Sequence, residues 1–367
     1  AWTVTTCLLQ DGWVTGFLRL ATFGERTSVR TWFGTKMGHG EREATMADRT
    51  VGDLGEIALV ERILAAAPTP PGARVPVGPG DDAAVLACSD GRVVITTDML
   101  VEGRHFRRDW SDAQDVGHKS AAENLADIAA MGAVPTAAVV ALAMPAETEV
   151  SWVDGFLSGL LAECERAGAS LVGGDVVRAD AITIGVTAFG DLAGRPPVLR
   201  SGAEPGDVVA VCGMLGSAAG GLAVLSRGFR SPRVLVDAHR RPQPDYRAGV
   251  RASDAGAHAL MDISDGLLID AGRMARASDV GIDLDSSALP CTEAVLTTAS
   301  AYNLDPLTWI LGGGDDHALL ATFPPKVTLP EGFVHVGTVT EADTAGPRVR
   351  VDGREADQVA GFEHFRS

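Results

Sequence analysis

Lysine is nearly absent from this chain. Only Lys36, Lys119 and Lys326 occur in 367 residues, and arginine supplies the rest of the 31 basic side chains. That bias reflects a GC-rich genome more than chemistry. The 48 acids leave a net charge of −17, and the sequence pI is about 4.8. Such a surface repels nucleic acid and anionic membrane, so a nucleotide partner needs metal to screen its phosphates. Most of the acids need no explanation beyond solubility.

Aromatic residues make up 5% of the chain, against 46% hydrophobic residues overall, and the length suffices for two domains with separate cores. The five cysteines (Cys7, Cys88, Cys164, Cys212 and Cys291) are odd in number and form no Cys-x-x-Cys pair. That usage reads as buried thiols in a reducing, cytoplasmic setting. No run of 18 apolar residues exists, so no spanning helix is expected.

Several chemical signatures are missing as well. Gly117-His118-Lys119-Ser120 lacks the glycine spacing of a P-loop. Kinase-type His-Arg-Asp and Asp-Phe-Gly sequences, a Gly-x-Ser-x-Gly elbow and zinc-ligand spacing do not occur. Residues 1–46 hold three of the six tryptophans, show weak periodicity and lack the features of a signal peptide. They read as a disordered or non-native extension, with Met46 a plausible start.

From Val51 onward strands and helices alternate, which predicts α/β (α+β) layering in two domains, 47–198 and 199–367. The apolar periodicity predicts helices over 54–67, 112–131 and 151–167, the last beginning at a Ser151 cap. It predicts strands over 83–87, 93–97, 137–144 and 182–189. Residues 231–255, polar and rich in proline and arginine, read as an exposed loop.

What is present in abundance is acid fused to glycine or to a hydroxyl or amide residue. The clusters are Gly80-Asp81-Asp82, Thr96-Thr97-Asp98, Asn124-Leu125-Ala126-Asp127, Gly173-Gly174-Asp175, Asp262-Ile263-Ser264-Asp265-Gly266 and Gly312-Gly313-Gly314-Asp315-Asp316. Carboxylates converging from loops hold hard dications through oxygen, and adjacent glycines let backbone N–H groups approach an anion. Each cluster also has a plain reading. Gly80-Asp81-Asp82 and Gly173-Gly174-Asp175 suit turns. Thr96-Thr97-Asp98 ends a β-branched run. Asp127 suits a salt bridge as well as a metal. Ser264 is placed to cap the following helix and aim its N-terminus at an anion, or the two aspartates simply face the helix dipole. His105, in Glu102-Gly103-Arg104-His105, is equally compatible with a structural role and with substrate contact.

Taken in order, these segments resemble the thiamine-monophosphate kinase family, within the superfamily of aminoimidazole ribonucleotide synthetase-like ATP-binding proteins. The resemblance covers roughly residues 51–367. It is carried by Gly78-Pro79-Gly80-Asp81-Asp82-Ala83-Ala84, Thr97 through Phe106, Asn124 through Ala133, Leu171 through Asp175, Arg200-Ser201-Gly202-Ala203, Asp262 through Leu267 and Gly312 through Asp316. It implies ATP-dependent phosphorylation of thiamine monophosphate to thiamine diphosphate, the last step in making that cofactor. It also implies a cytoplasmic homodimer whose N-terminal domains share a barrel, and a C-terminal α/β domain. Several Mg2+ ions are implied, with Asp82, Thr96, Thr97, Asp98, Asp127, Asp175, Asp262 and Asp265 as ligands. Gly174, Asp175, Arg200 and Ser264 are implied ATP contacts, and His105, Asp315 and Phe362 substrate contacts. Neither nucleic acid nor membrane is an expected partner.

Two departures stand out. The family often has Gly-Gly-Glu-Asp-Tyr where this chain has Gly313-Gly314-Asp315-Asp316-His317, and often serine at Thr96. The rival readings are a sister synthetase of the superfamily and a non-catalytic ATP- or thiamine-phosphate-binding regulator.

Overall fold

The computed structural model describes residues 49–68, 72–80 and 83–355. The expectation for residues 1–46 and the candidate site residues Asp82 and Phe362 lie outside them.

The first half is a four-stranded sheet covered on one face by two long helices. Its strands are β1 (Val94–Val101), β2 (Val134–Met144), β3 (Ser170–Arg178) and β4 (Thr183–Asp191), in the order β1-β4-β2-β3. Only β2 and β3 run parallel. Two short helices, α1 (Val51–Leu54) and α2 (Glu56–Ala66), precede the sheet. The covering helices are α3 (Ala113–Ala130) and α4 (Val150–Ala167).

Asp112 and Asp115 start α3 with a reciprocal capping box. The two helices approach closely because glycine faces backbone at their crossing. A Cβ on Gly117 would fall 1.9 Å from the Phe156 carbonyl oxygen, and one on Gly159 would fall 2.0 Å from that of Gln114. Leu125, Ile128, Phe156, Leu160 and Ile184 form the core between helices and sheet.

The second half holds a seven-stranded sheet. Its strands are β5 (Val208–Cys212), β6 (Ala259–Ile263), β7 (Val280–Leu284), β8 (Ala318–Phe323), β9 (Phe333–Glu341), β10 (Val349–Val351) and β11 (Arg354–Glu355). They run in the order β11-β10-β7-β9-β5-β8-β6. Around it lie α5 (Ser217–Ser226), α6 (Arg233–Arg240), α7 (Ala248–Asp254), α8 (Leu267–Ser278), α9 (Glu293–Ala301) and α10 (Leu307–Gly312). A separate buried cluster joins the halves, with Ala130 and Val198 packed against Ala210, Leu260 and Phe323. As a result α3 touches β1 and β4 of the first sheet and β6 of the second.

Four local expectations are corrected. Segment 231–255 is not a loop but carries α6 and α7, because Leu235, Val236 and His239 bury one side of an otherwise polar helix. Residues 83–87 form no strand; Val85 makes a lone bridge to Val77 and is exposed. β1 continues to Val101, so Asp98 lies within the strand and not at its end. Ser151 is not a cap: α4 begins at Val150 after Glu149 and has no side-chain cap.

Candidate active site

The site forms where α3 is held between β1 and β6. Side chains alternate across a strand, so Thr96 and Asp98 project toward α3 while Thr97 and Met99 project to the other face. Thr96 Oγ1 donates to Asp127 Oδ2 at 2.7 Å. The Asp98 N–H donates to Asn124 Oδ1 at 2.9 Å, and Asn124 Nδ2 donates to the Ser120 carbonyl at 3.0 Å. An amide side chain on α3 thus occupies a backbone donor of an edge strand.

Asp262, buried on β6, brings the second half's charge to this place. Burial and then the Asp262 carboxylate lift Asp127 to about 7. Burial also raises Asp98, and Asp262 and Asp265 add to the rise against the pull of His317. Glu123, one turn before Asp127 on α3, is raised to about 7, chiefly by burial and only partly relieved by Lys119. These are like charges gathered without enough cation among the described residues.

The loop after β6 is built differently from its expected form. Ser264 does not cap α8; Gly266 stands at that position, with no side-chain cap. Instead Asp270, inside α8 and fully buried, reaches back and accepts from the Ser264 and Asp265 N–H groups at 3.0 Å each. Arg273 holds both Asp270 and Asp265 at 2.6 Å. Asp270 is raised to about 6 by burial, against the Asp265 N–H and Arg273.

The turn before β8 closes the site. Asp315 (φ 66) and His317 (φ 51) both occupy the left-handed region, a strained pair outside glycine. The turn is pinned by Asp315 N–H to the Ser264 carbonyl at 2.9 Å and by His317 N–H to that of Ile263 at 3.2 Å. A Cβ on Gly314 would fall 2.3 Å from the Ser264 oxygen, so glycine is needed there for contact. Asp316 does not face the cluster; it accepts from Gly216 N–H (2.5 Å) and Ala218 N–H (2.7 Å) at the start of α5.

Lys119 and His317 were not singled out as site residues by the sequence, yet both lie at its centre. Lys119 Nζ, on a buried side chain, is 2.8 Å from Asp315 Oδ2 and 3.9 Å from Glu123 Oε1. Burial works against its charge, but the two carboxylates more than offset that and raise it. Although burial pushes the other way, Lys119 holds the Asp315 carboxyl well below the usual range. His317 is raised to about 9, because Asp262, Glu123 and Asp315 outweigh its burial. Glu123, Asp315 and His317 offer ligand atoms within 4.8 Å of one another. The available signal was the spacing of Lys119, Glu123 and Asp127 at i, i+4 and i+8, one face of one helix.

The other expected residues fall elsewhere. Thr97 Oγ1 donates to the Val186 carbonyl at 2.9 Å on the far face of the sheet. Asp175 shares that face and lies within β3, three strands from β1. Gly173-Gly174-Asp175 is therefore neither a hairpin turn nor a strand end. A Cβ on Gly174 would meet the Val140 oxygen at 2.3 Å, so that glycine serves strand pairing. Gly174 and Asp175 line a cavity of about 820 Å³ beneath α2. The His105 Nδ1 accepts from the Val101 N–H at 2.9 Å, which puts the ring proton on Nε2. Arg200 is exposed, and its carbonyl accepts from Ser278 Oγ at 2.9 Å.

The sequence matches two family descriptions, AIR synthase related protein, N-terminal domain, over residues 80–192, and AIR synthase related protein, C-terminal domain, over residues 204–308. It is 46% identical to the thiamine-monophosphate kinase of Mycobacterium tuberculosis H37Rv over 318 residues, 86% of this chain and 93% of that one. The chain belongs to the thiamine-monophosphate kinase family. The crystal structure of thiamine-monophosphate kinase from Stenotrophomonas maltophilia K279a superposes with a TM-score of 0.70 at 32% identity, covering 81% of this chain and 96% of that one. AaThiL complexed with AMPPCP and TMP superposes with a TM-score of 0.69 at 33% identity, covering 85% and 97%.

Membership in the thiamine-monophosphate kinase family agrees with the mixed α/β architecture in two halves. The donor set also suits hard dications. Apart from His317 it is made of carboxylate and hydroxyl oxygen, Asp262 Oδ2 is buried with no hydrogen-bond partner, and Asp98, Asp127 and Glu123 are raised together.

Proposed function

We propose that this chain transfers the γ-phosphoryl group of ATP to the terminal phosphate of thiamine monophosphate, giving thiamine diphosphate. Family membership supports the substrates. The observation that carries the chemistry is the gathering of Asp98, Asp127 and Asp262 around α3 with one carboxylate oxygen left unpartnered. Thr96, Asp98, Asp127, Asp262 and Asp265 would hold Mg2+, whose charge offsets repulsion between the two polyanionic substrates and stabilises the transferring group. The acceptor phosphate is already an anion at neutral pH, so no general base is assigned. Asp270 fixes the Ser264-Asp265 backbone, and Lys119 orients Asp315 for a substrate contact. Asp82 and Phe362 join the metal and substrate sets on family resemblance alone.

The same reading divides the chain at about residue 198 and makes it a cytoplasmic homodimer. Support for a second copy comes from the face of the first sheet away from α3 and α4, which Val75, Ala84 and Leu86 cover only in part and where Ile95 and Met99 are each 60% exposed and Val177 is 52% exposed. Apolar exposure of that kind favours burial against another surface. Thr97 and Asp175, which share that face, are then assigned to the part of the site that a second copy would complete, and Gly174 and Arg200 join the ATP contacts on family resemblance alone. No helix among the described residues is long and apolar enough to cross a membrane, and the four described cysteines are unpaired.

The test is turnover of ATP and thiamine monophosphate with excess Mg2+, following thiamine diphosphate directly. Product that disappears with EDTA supports the reading. ATP binding with no product rejects it in favour of a regulator or a sister synthetase.

A further inference from the structure

We infer that His317 is a metal ligand: with Asp262 it takes a first-row transition-metal dication, so that this position of the acidic cage prefers such an ion to Mg2+. The inference rests on the cation-holding reading above and concerns which ion this chain selects.

Three observations carry it. Asp262 Oδ2 and His317 Nδ1 face each other at 3.4 Å. Both are shielded from solvent and neither has a hydrogen-bond partner, nor has His317 Nε2. Two atoms bonded to one ion at about 2.0–2.2 Å stand roughly 2.8–3.6 Å apart in octahedral or tetrahedral geometry, so the spacing already suits a shared ion. The second observation is the supply of charge nearby. Lys119 serves Asp315 at 2.8 Å and Glu123 at 3.9 Å, so the cation that faces Asp262 is the His317 imidazolium itself, whose proton a bound dication would displace. The third is access. His317 is only 5% exposed, yet it lines a cavity of about 940 Å³ together with Ser217, Arg240 and Asp316; Asp262 does not line it, so an ion would have to enter past the His317 ring.

The chemistry then favours a particular class of ion. Carboxylate and water suit Mg2+, whereas imidazole raises affinity for later first-row metals. The His317 backbone is held in the strained left-handed region while its ring lies buried beside Asp262.

The experiment uses the full chain, stripped with EDTA and loaded with Mn2+ alone, under pulsed electron paramagnetic resonance. Wild type is expected to show the ¹⁴N modulation of a directly bound imidazole, and His317→Gln to lose it. By calorimetry, His317→Gln should lose at least tenfold in Co2+ affinity and less than threefold in Mg2+ affinity. Absence of the nitrogen signal in wild type, its persistence in His317→Gln, or equal losses for both ions would overturn the inference. Should His317→Gln not fold, Asp262→Asn must lose the nitrogen signal, and persistence there overturns the inference equally. Neither ATP nor thiamine monophosphate is present, so a failed turnover assay and a failed ligand assignment give separate results.

Discussion

Lys119 Nζ lies 2.8 Å from Asp315 Oδ2, joining a buried helix in one half of the chain to a strained turn in the other. The pair is asymmetric: the Lys119 side chain is 5% exposed and that of Asp315 45%. Its loss leaves the Asp315 side chain within reach of water and lets the buried Glu123 take up a proton in place of its lost cation, so the main effect on substrate is on where Asp315 points. Lys119→Met is expected to raise KM for thiamine monophosphate at least tenfold and KM for ATP less than threefold. Steady-state kinetics with each substrate varied would check this; an equal rise for both would reject a substrate-positioning role.

Asp127→Asn separates function from stability. The substitution removes a carboxylate from the cage, so turnover should fall by roughly two to four orders of magnitude. It also relieves repulsion with Asp98 and Asp262, so the metal-free chain should gain about 1 kcal/mol of stability in urea melts. Near-normal turnover would remove Asp127 from the cage.

The raised carboxyls give the metal-free protein a definite pH response. Asp127 and Glu123 sit at about 7 in the folded chain, above their ordinary values of 3.8 and 4.5. Between those values the folded state holds protons that the unfolded state has lost. Their contribution to stability is full below about pH 4 and is lost as pH rises through 7. The melting temperature in EDTA should thus be lower at pH 8 than at pH 6, and Mg2+ should restore most of the difference. A melting temperature in EDTA that is unchanged or higher at pH 8 would contradict the shifts.

Asp270→Asn tests the support beneath the loop. Asp270 accepts from two backbone N–H groups and pairs with Arg273. An amide cannot replace that charge, and the cost should be about 2–3 kcal/mol by urea denaturation. Cation affinity should fall along with it, because Asp265 loses its fixed backbone.

Gly117→Ala should be at least as severe, about 3 kcal/mol or more, since its Cβ would overlap the Phe156 carbonyl. Gly80→Ala meets no atom within 4 Å and strains only its φ of 115°. Its cost should be about 1–2 kcal/mol by comparison. Thermal melts of the two variants would compare them directly.

Much of the site was legible because Asp98, Asp127 and Asp262 each stand in an apolar or β-branched setting where an acid has to be explained. Their convergence depended only on alternating elements stacking around one helix. What was not legible depends on register or on side chains reaching back. Thr97 and Asp175 sit on the far face because strand parity is set by pairing with β4 and β2, and β3 carries an irregularity beside Gly173 that sequence does not announce. Ser264 looked like a cap because hydroxyl precedes helix, but Asp270 satisfies that backbone from four residues inside the helix. Helix α6 was hidden by its arginines, since its apolar stripe is only Leu235, Val236 and His239.

The wedging of α3 between β1 and β6 has a mechanical consequence. Asp98 belongs to one sheet, Asp262 to the other, and Asp127 to the helix clamped between them. Any shear of one half against the other stretches that row of charges, and any ion seated in it resists the shear. On the proposed reading, loading the site would also lock the two halves together, with the ion as a rivet between the two sheets.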